Sequence, residues 1–185
     1  MSEQAVDQFQ GNGADETSSS DTKRMQIFRH ADAYRIGVEG VLTTDPTPVQ
    51  AEGLHRMLDA GVMDGAEFSV LCNIPGFAVI HAWVKKDYPL PLHSHSGDCL
   101  YHVVSGSLRL GTDELSAGDS VFVPADVRYT YRAGADGVEV LEFRHTINVD
   151  FQNYSKSAAF YEKAVSTILA NRDLWREAGK PRRAM

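Results

Sequence analysis

Residues 89–124, PLPLHSHSGDCLYHVVSGSLRLGTDELSAGDSVFVP, decide the fold. His93 and His95 flank a single residue in an extended context, between Pro91 and the turn Ser96-Gly97-Asp98. Side chains at i and i+2 of a strand point to the same face, so the two imidazoles can converge on one ion, and imidazole suits Zn, Fe, Cu and Ni. A hydrogen-bonded surface pair explains an H-x-H as simply. If strand parity survives the turn, Cys99, Tyr101 and Val103 share the inward face and His102 points out. One bulge in the turn reverses this and makes His102 a third ligand candidate.

On either side, short β-prone runs recur: Glu67–Ile74, Phe77–Lys85, Cys99–Leu110, Ser120–Pro124, Arg128–Tyr131 and Val138–His145. Turn material separates them, including Pro75-Gly76, Ala117-Gly118-Asp119 and the stretch Gly134-Ala135-Asp136-Gly137. Gly106 is expected to end a strand. Many short strands at this spacing predict an all-β sandwich or barrel. Before them, Pro48–Ala60 reads as a helix, capped by Thr47, opened by Pro48 and closed by Gly61. Beyond Val149 the pattern is helical again, with Ser155 as the expected N-cap and Ala159, Tyr161, Val165, Ile168, Leu169 and Leu174 on one side. The resulting organisation is a disordered polar tail over residues 1–24, lead-in strands and a short helix over 25–65, the barrel over 66–149, and a C-terminal helix and tail over 150–185.

The 185 residues carry a formal charge of -7, which argues against nucleic acid as a partner, because phosphate binding draws on clustered Lys and Arg. No apolar run approaches a membrane span, and the polar, acidic N-terminus has no signal-peptide h-region. Two cysteines, Cys72 and Cys99, are too few for a disulfide framework. A cytoplasmic setting is therefore expected. No G-x-S-x-G, Walker A, G-x-G-x-x-G, C-x-x-C or HExxH signature is present.

The segments HSHSGDCLYHVVSG and AGDSVFVPADVRYTY resemble those of the cupin family, whose first motif runs G-x5-H-x-H-x3,4-E-x6-G and whose second runs G-x5-P-x-G-x2-H-x3-N. His93, His95 and Gly106 fall in register with the first, Gly118 and Pro124 with the second, and the resemblance covers about residues 77 to 145. It implies a single jelly-roll barrel. Departures are as informative: Asp87 stands at the first Gly, Cys99 at the Glu, Asp126 at the second motif's Gly, Tyr129 at its His and Ala133 at its Asn. In metal-binding cupins the two His, the Glu and the second-motif His supply the ligands.

Three site chemistries stay open. Cys99 and Tyr129 could complete a metal set with His93 and His95; Asp98 could supply the carboxylate of a two-His-one-carboxylate site; or no metal binds, and the two His with Tyr101 and Tyr129 line a polar pocket. The resemblance implies a divalent metal (Fe, Zn, Mn or Ni) and an enzyme of dioxygenase, lyase or isomerase type. Its substrate would be a small, oxygen-rich organic molecule, with Tyr129 or Tyr101 as proton donor or orienter. The alternative is a non-catalytic binding or sensing cupin, metal-free or with structural zinc. A homodimer is expected from the family and from exposed sheet edges. Of the remaining residues, His145 is expected to look into the barrel mouth with Leu141 and Phe143 on its face. Trp83, Tyr88, Tyr129 and Tyr131 are candidates for an aromatic wall, and His30, His55 and His81 for structural roles.

Overall fold

The computed structural model describes residues 24–36, 45–145 and 150–181. Most of the expected polar tail lies outside these residues, as does 37–44 of the lead-in; within the lead-in one short strand, β1 (Tyr34–Arg35), is present. Then follow α1 (Pro48–Ala60), a 3-10 turn (Val62–Gly65), β2 (Ala66–Ile74), β3 (Phe77–Val84), β4 (His93–Ser94), β5 (Cys99–Leu110), β6 (Asp113–Ser116), β7 (Ser120–Val123), β8 (Arg132–Arg144), β9 (Gln152–Asn153) and α2 (Ala158–Glu177). Seven strands form one sheet in the order β1-β2-β3-β8-β5-β6, with β7 also paired to β5, while β4 and β9 make a separate two-stranded ladder. The architecture is an all-β jelly-roll barrel with two helices at one end. No helix among the described residues is long and apolar enough to cross a membrane.

Hydrophobic alternation explains the barrel. Ala78, Ile80, Ala82 and Val84 of β3, Cys99, Tyr101 and Val103 of β5, and Val138 and Val140 of β8 are all buried. The parity carried across the Ser96-Gly97-Asp98 turn therefore holds, and His102 lies on the other face, bonded through Nδ1 to Ser120 Oγ at 2.9 Å. The outer face is partly apolar, with Phe77, Leu100 and Phe122 exposed.

Several expectations change. Gly134–Gly137 is not a turn between strands: it lies inside β8, where Val138 pairs with Gly106 and Ala133 with Leu108, so four residues bulge opposite Ser107. Gly106 does not end a strand. It sits within β5 at φ 71°, where any Cβ would overlap the Gly137 carbonyl oxygen, so two backbones approach where only glycine fits. Arg128–Tyr131 contributes a single bridge, Tyr129 to His93, in place of a strand. Asp113–Ser116 adds a strand that the β-prone runs did not include. Its pairing with Ser107–Leu110 makes a hairpin across Gly111.

The helices are built as their caps dictate. Thr47 and Gln50 form a reciprocal capping box on α1, and Gly61, in the left-handed conformation, closes it. On α2 the cap is Ser157, accepting from Phe160 N at 3.3 Å, and not Ser155, whose hydroxyl accepts from Leu92 N at 3.1 Å. The buried face of α2 is Tyr161, Ala164, Ile168 and Trp175; Leu169 and Leu174, expected on that face, are exposed. Met57 and Ala60 of α1 pack against this face in a second core cluster, and Tyr88 touches both this cluster and the barrel core. Lys85 anchors the far end of α2, its Nζ donating to Trp175 O at 2.6 Å and Asp64 O at 2.8 Å.

Gly53 lies where α1 meets the Tyr161 ring, and a methyl there would overlap the ring's Cγ. Alanine favours a helix over glycine by about 1 kcal/mol, whereas overpacking a close-packed contact costs about 1–3 kcal/mol or more. The buried Tyr161 cannot step aside without losing the bond from its hydroxyl to Ser155 O, so the overlap wins. Gly53→Ala is expected to lower stability by about 2 kcal/mol in urea unfolding. A variant as stable as wild type would show that the helices are not held this close.

Candidate functional site

His93 and His95 sit at the barrel mouth on or beside β4, which is fixed from two sides. Asn153 and Gln152 of β9 pair with His93 and Ser94, and His93 and Tyr129 exchange both backbone hydrogen bonds, at 3.0 and 2.8 Å. Each imidazole is also fixed in its tautomer. His93 Nδ1 lies 2.9 Å from Pro91 O, and His95 Nδ1 lies 2.5 Å from Asp150 O. A carbonyl only accepts, so both Nδ1 atoms carry the proton, and both Nε2 atoms keep a lone pair. The rings are 5.1 Å apart, edge to face, and His93 is stacked on Phe151 at 4.4 Å and packed against Tyr129 at 4.3 Å. Burial drives the His93 pKa down to about 3 despite the Pro91 hydrogen bond. Burial, then the nearby Arg144 charge, also lowers that of His95. Both are neutral bases at pH 7.

The opposite wall comes from β5 and β8. Cys99 pairs in register with Arg144 and Tyr101 with Glu142. Counting inward from Val138 and Val140 puts Glu142 and Arg144 inside, and both are buried. Arg144 Nε and Nη2 donate to Glu142 Oε2 at 3.1 and 2.8 Å, and Nη2 donates to the Tyr101 hydroxyl at 3.3 Å. The Tyr101 and Tyr129 hydroxyls are themselves hydrogen-bonded. Burial lowers the hold of Arg144 on its proton, but the Glu142 carboxylate more than offsets this. Burial, reinforced by Glu142, keeps both phenols protonated well above the ordinary tyrosine range.

These groups meet in a cavity of about 100 Å³. His93, His95, Tyr101, Glu142 and Arg144 form its polar end; Leu54, Met57 and Leu58 of α1, with Phe68, Ile80 and Phe151, form apolar walls. A wholly apolar cavity of about 150 Å³ takes up benzene; this one is smaller and has a polar end, which suits a guest of a few carbons. Tyr88 and Tyr131 also line it, whereas Tyr129 stands behind Tyr101. Trp83 is not part of the wall: it lies outside the barrel under Lys85, 4.4 Å from its ring. His145 is exposed and does not enter the mouth. The parity expected from Leu141 and Phe143 is inverted, because the more apolar set of β8 faces outward here. His81 bonds Glu139 at 3.1 Å on that outer side, and His55 is exposed beside Asp59.

The donors for a metal do not assemble as a set. The Asp98 carboxylate accepts from Ala125 N at 2.8 Å and is not among the cavity-lining residues. Cys99 is not among the cavity-lining residues either, and burial and Glu142 push its thiol up to about 12. Tyr129 keeps its proton, and Glu142 is bound by Arg144. Among the described residues no three His, Cys, Asp or Glu side chains are placed to hold an ion, whereas catalytic zinc sites use three protein ligands and structural ones four. The sequence pointed to the imidazoles and Tyr101 but missed Glu142, Arg144 and Phe151; alternation from Val138 through Arg144 was the one available signal.

Solved structures similar to this chain include the polyketide cyclase RemF from Streptomyces resistomycificus, at 14% identity over 78% of this chain and 99% of that one, TM-score 0.53. An RmlC-like cupin from Shewanella frigidimarina NCIMB 400 matches at 22% identity over 44% of this chain and 76% of that one, TM-score 0.39. KdgF from Halomonas sp. matches at 14% over 64% and 93%, TM-score 0.44. No family model and no curated protein matches the chain. Identities this low speak to fold and leave chemistry to the site itself. The sheet topology and the likeness to RemF give the chain the fold of a cupin-type jelly-roll barrel.

Proposed function

We propose that the cavity is an active site for proton transfer on a small organic carbonyl compound, a lyase- or isomerase-type reaction. The observation that carries this reading is the convergence of two neutral Nε2 lone pairs and a phenol backed by a guanidinium on one apolar cavity. Such a set has the parts needed to remove a proton α to a carbonyl. His95 Nε2 takes the proton, with the weakly basic His93 packed beside it; the C–H electron pair becomes the enolate double bond, and the carbonyl electrons move onto oxygen. Tyr101 receives that oxygen. Its own hydroxyl oxygen accepts from Arg144, and when Tyr129 donates the bond between the two hydroxyls the Tyr101 proton is available to the developing enolate. The walls favour a small apolar body, with oxygen only at the polar end, in place of the oxygen-rich substrate expected from the family. The metal-dependent oxygenase, lyase or isomerase draws on the same imidazoles, and the described residues bring no third donor to them; the proton-transfer reading needs none.

A non-catalytic binding cupin would hold the same molecules without changing them. Butanone in deuterated buffer separates the two readings. Exchange of its α-hydrogens, followed by proton NMR, is expected above the buffer rate. It should fall at least tenfold in His95→Gln and also in Tyr101→Phe. Binding of the ketone without exchange would leave a binding protein and sink the catalytic reading.

The histidines also set a stability signature. His93 is neutral in the folded state down to about pH 3, whereas in the unfolded chain it takes a proton near pH ~6.5. Between these values the unfolded state binds more protons, so stability rises with pH, by up to about 1.4 kcal/mol per unit for this group. Its contribution is fully present above pH ~6.5 and is lost progressively toward about pH 3. Denaturation of wild type and His93→Gln from pH 7 to 4 is expected to show a shallower acid decline in the variant. Parallel curves would mean that His93 is already protonated when folded.

A further inference from the structure

We infer that the resident cation of this site is Arg144, a side chain that serves in place of the metal ion implied by the motif resemblance. The inference concerns the same cavity but does not depend on the proton-transfer reading, because it is decided without any substrate.

Two replaced motif positions lead to the same guanidinium. Cys99, at the position of the first motif's Glu, is the cross-strand partner of Arg144. Its small, neutral side chain brings no carboxylate to compete with Glu142 for the guanidinium. Tyr129, at the position of the second motif's His, bonds Tyr101, which accepts from Arg144. Both departures therefore remove a metal donor and join the surroundings of one buried cation.

Glu142 explains how that cation is tolerated. An unpaired charge inside a barrel is strongly disfavoured, and here one carboxylate oxygen takes both Nε and Nη2. Pair and partner are 4% and 8% exposed, so water screens neither. Among the described residues Glu142 is the carboxylate that lines the cavity with His93 and His95, and the bond occupies it. A divalent ion on the imidazoles would meet a permanently protonated guanidinium and find that carboxylate already paired. The same guanidinium does for a substrate oxygen what a Lewis acid does elsewhere: it stabilises negative charge through the Tyr101 hydroxyl.

The test uses tag-free, chelator-treated full-length protein titrated with Co(II) and Zn(II), followed by calorimetry and the visible Co(II) spectrum. Wild type is expected to bind less than about a tenth of an equivalent at the pocket, since a designed site would fill. Arg144→Met, or the neutral and polar Arg144→Gln if the first does not fold by circular dichroism, removes the positive charge from the cavity that His93 and His95 line. With that charge gone, at least tenfold greater Co(II) uptake is expected, lost again when His95→Ala is added. One equivalent bound by wild type and abolished by His93→Ala or His95→Ala would overturn the inference. So would a folded Arg144 variant that binds no more metal than wild type.

Discussion

The antiparallel pairing of β5 with β8 is the constraint on which the site depends. It runs from Cys99–Arg144 at one end to Arg109–Arg132 at the other, broken by a bulge after Val103 and by the excursion at Gly134–Gly137. Side chains alternate with period two, so a slip of one residue would turn Glu142 and Arg144 to the outer face and bring Leu141 and Phe143 in. The apolar content of β8 alone would accept that exchange. What forbids it is collective: Val138 and Val140 are wholly buried against Val84 and Val103 in the barrel core. On the other face Ser105 donates to Glu139 at 2.6 Å. Specific hydrogen bonds and packing along one ladder thus hold a charged pair inside a β-barrel.

That pair is more an organising device than a source of stability. Desolvating two charges costs about as much as their attraction returns, and apolar replacements are often neutral or better. Its presence at the polar end of the cavity is more readily understood from chemistry, where it orients Tyr101 and supplies a fixed positive charge. α1 completes the environment differently. It brings Leu54, Met57 and Leu58 to the cavity wall, and an apolar wall strengthens each electrostatic interaction beside it.

Much of this architecture was legible in the residues. Thr47, Pro48, Gln50 and Gly61 specify α1 through local chemistry, and its boundaries follow. The H-x-H pair and the inward set of Cys99, Tyr101 and Val103 follow from alternation within continuous strand. The failures have a common physical origin, which is long-range register. Gly134–Gly137 carries turn residues, yet the ladder resumes on either side of it, so local composition misnamed a bulge. For β8, hydrophobicity pointed to the wrong face because its inner face carries Glu142 and Arg144, whose burial is stabilised by each other and by Tyr101. A charged pair two residues apart on a strand reads as solvent-facing until its partners are known. Ser155 failed as a helix cap for a similar reason: its hydroxyl is engaged by Leu92 N, 63 positions away in sequence.

Gln50 ties the cover to the chemistry. Its side-chain oxygen closes the α1 capping box while its Nε2 donates to Asn153 O at 2.7 Å, in a wholly buried position. Asn153 is the residue paired with His93. To swing off the mouth as a rigid body, α1 would have to strand a buried amide and pull on the strand that aligns one of the two bases. Cover and candidate site thus hang on one residue, Asn153, so any displacement of α1 would be felt at the strand beside His93.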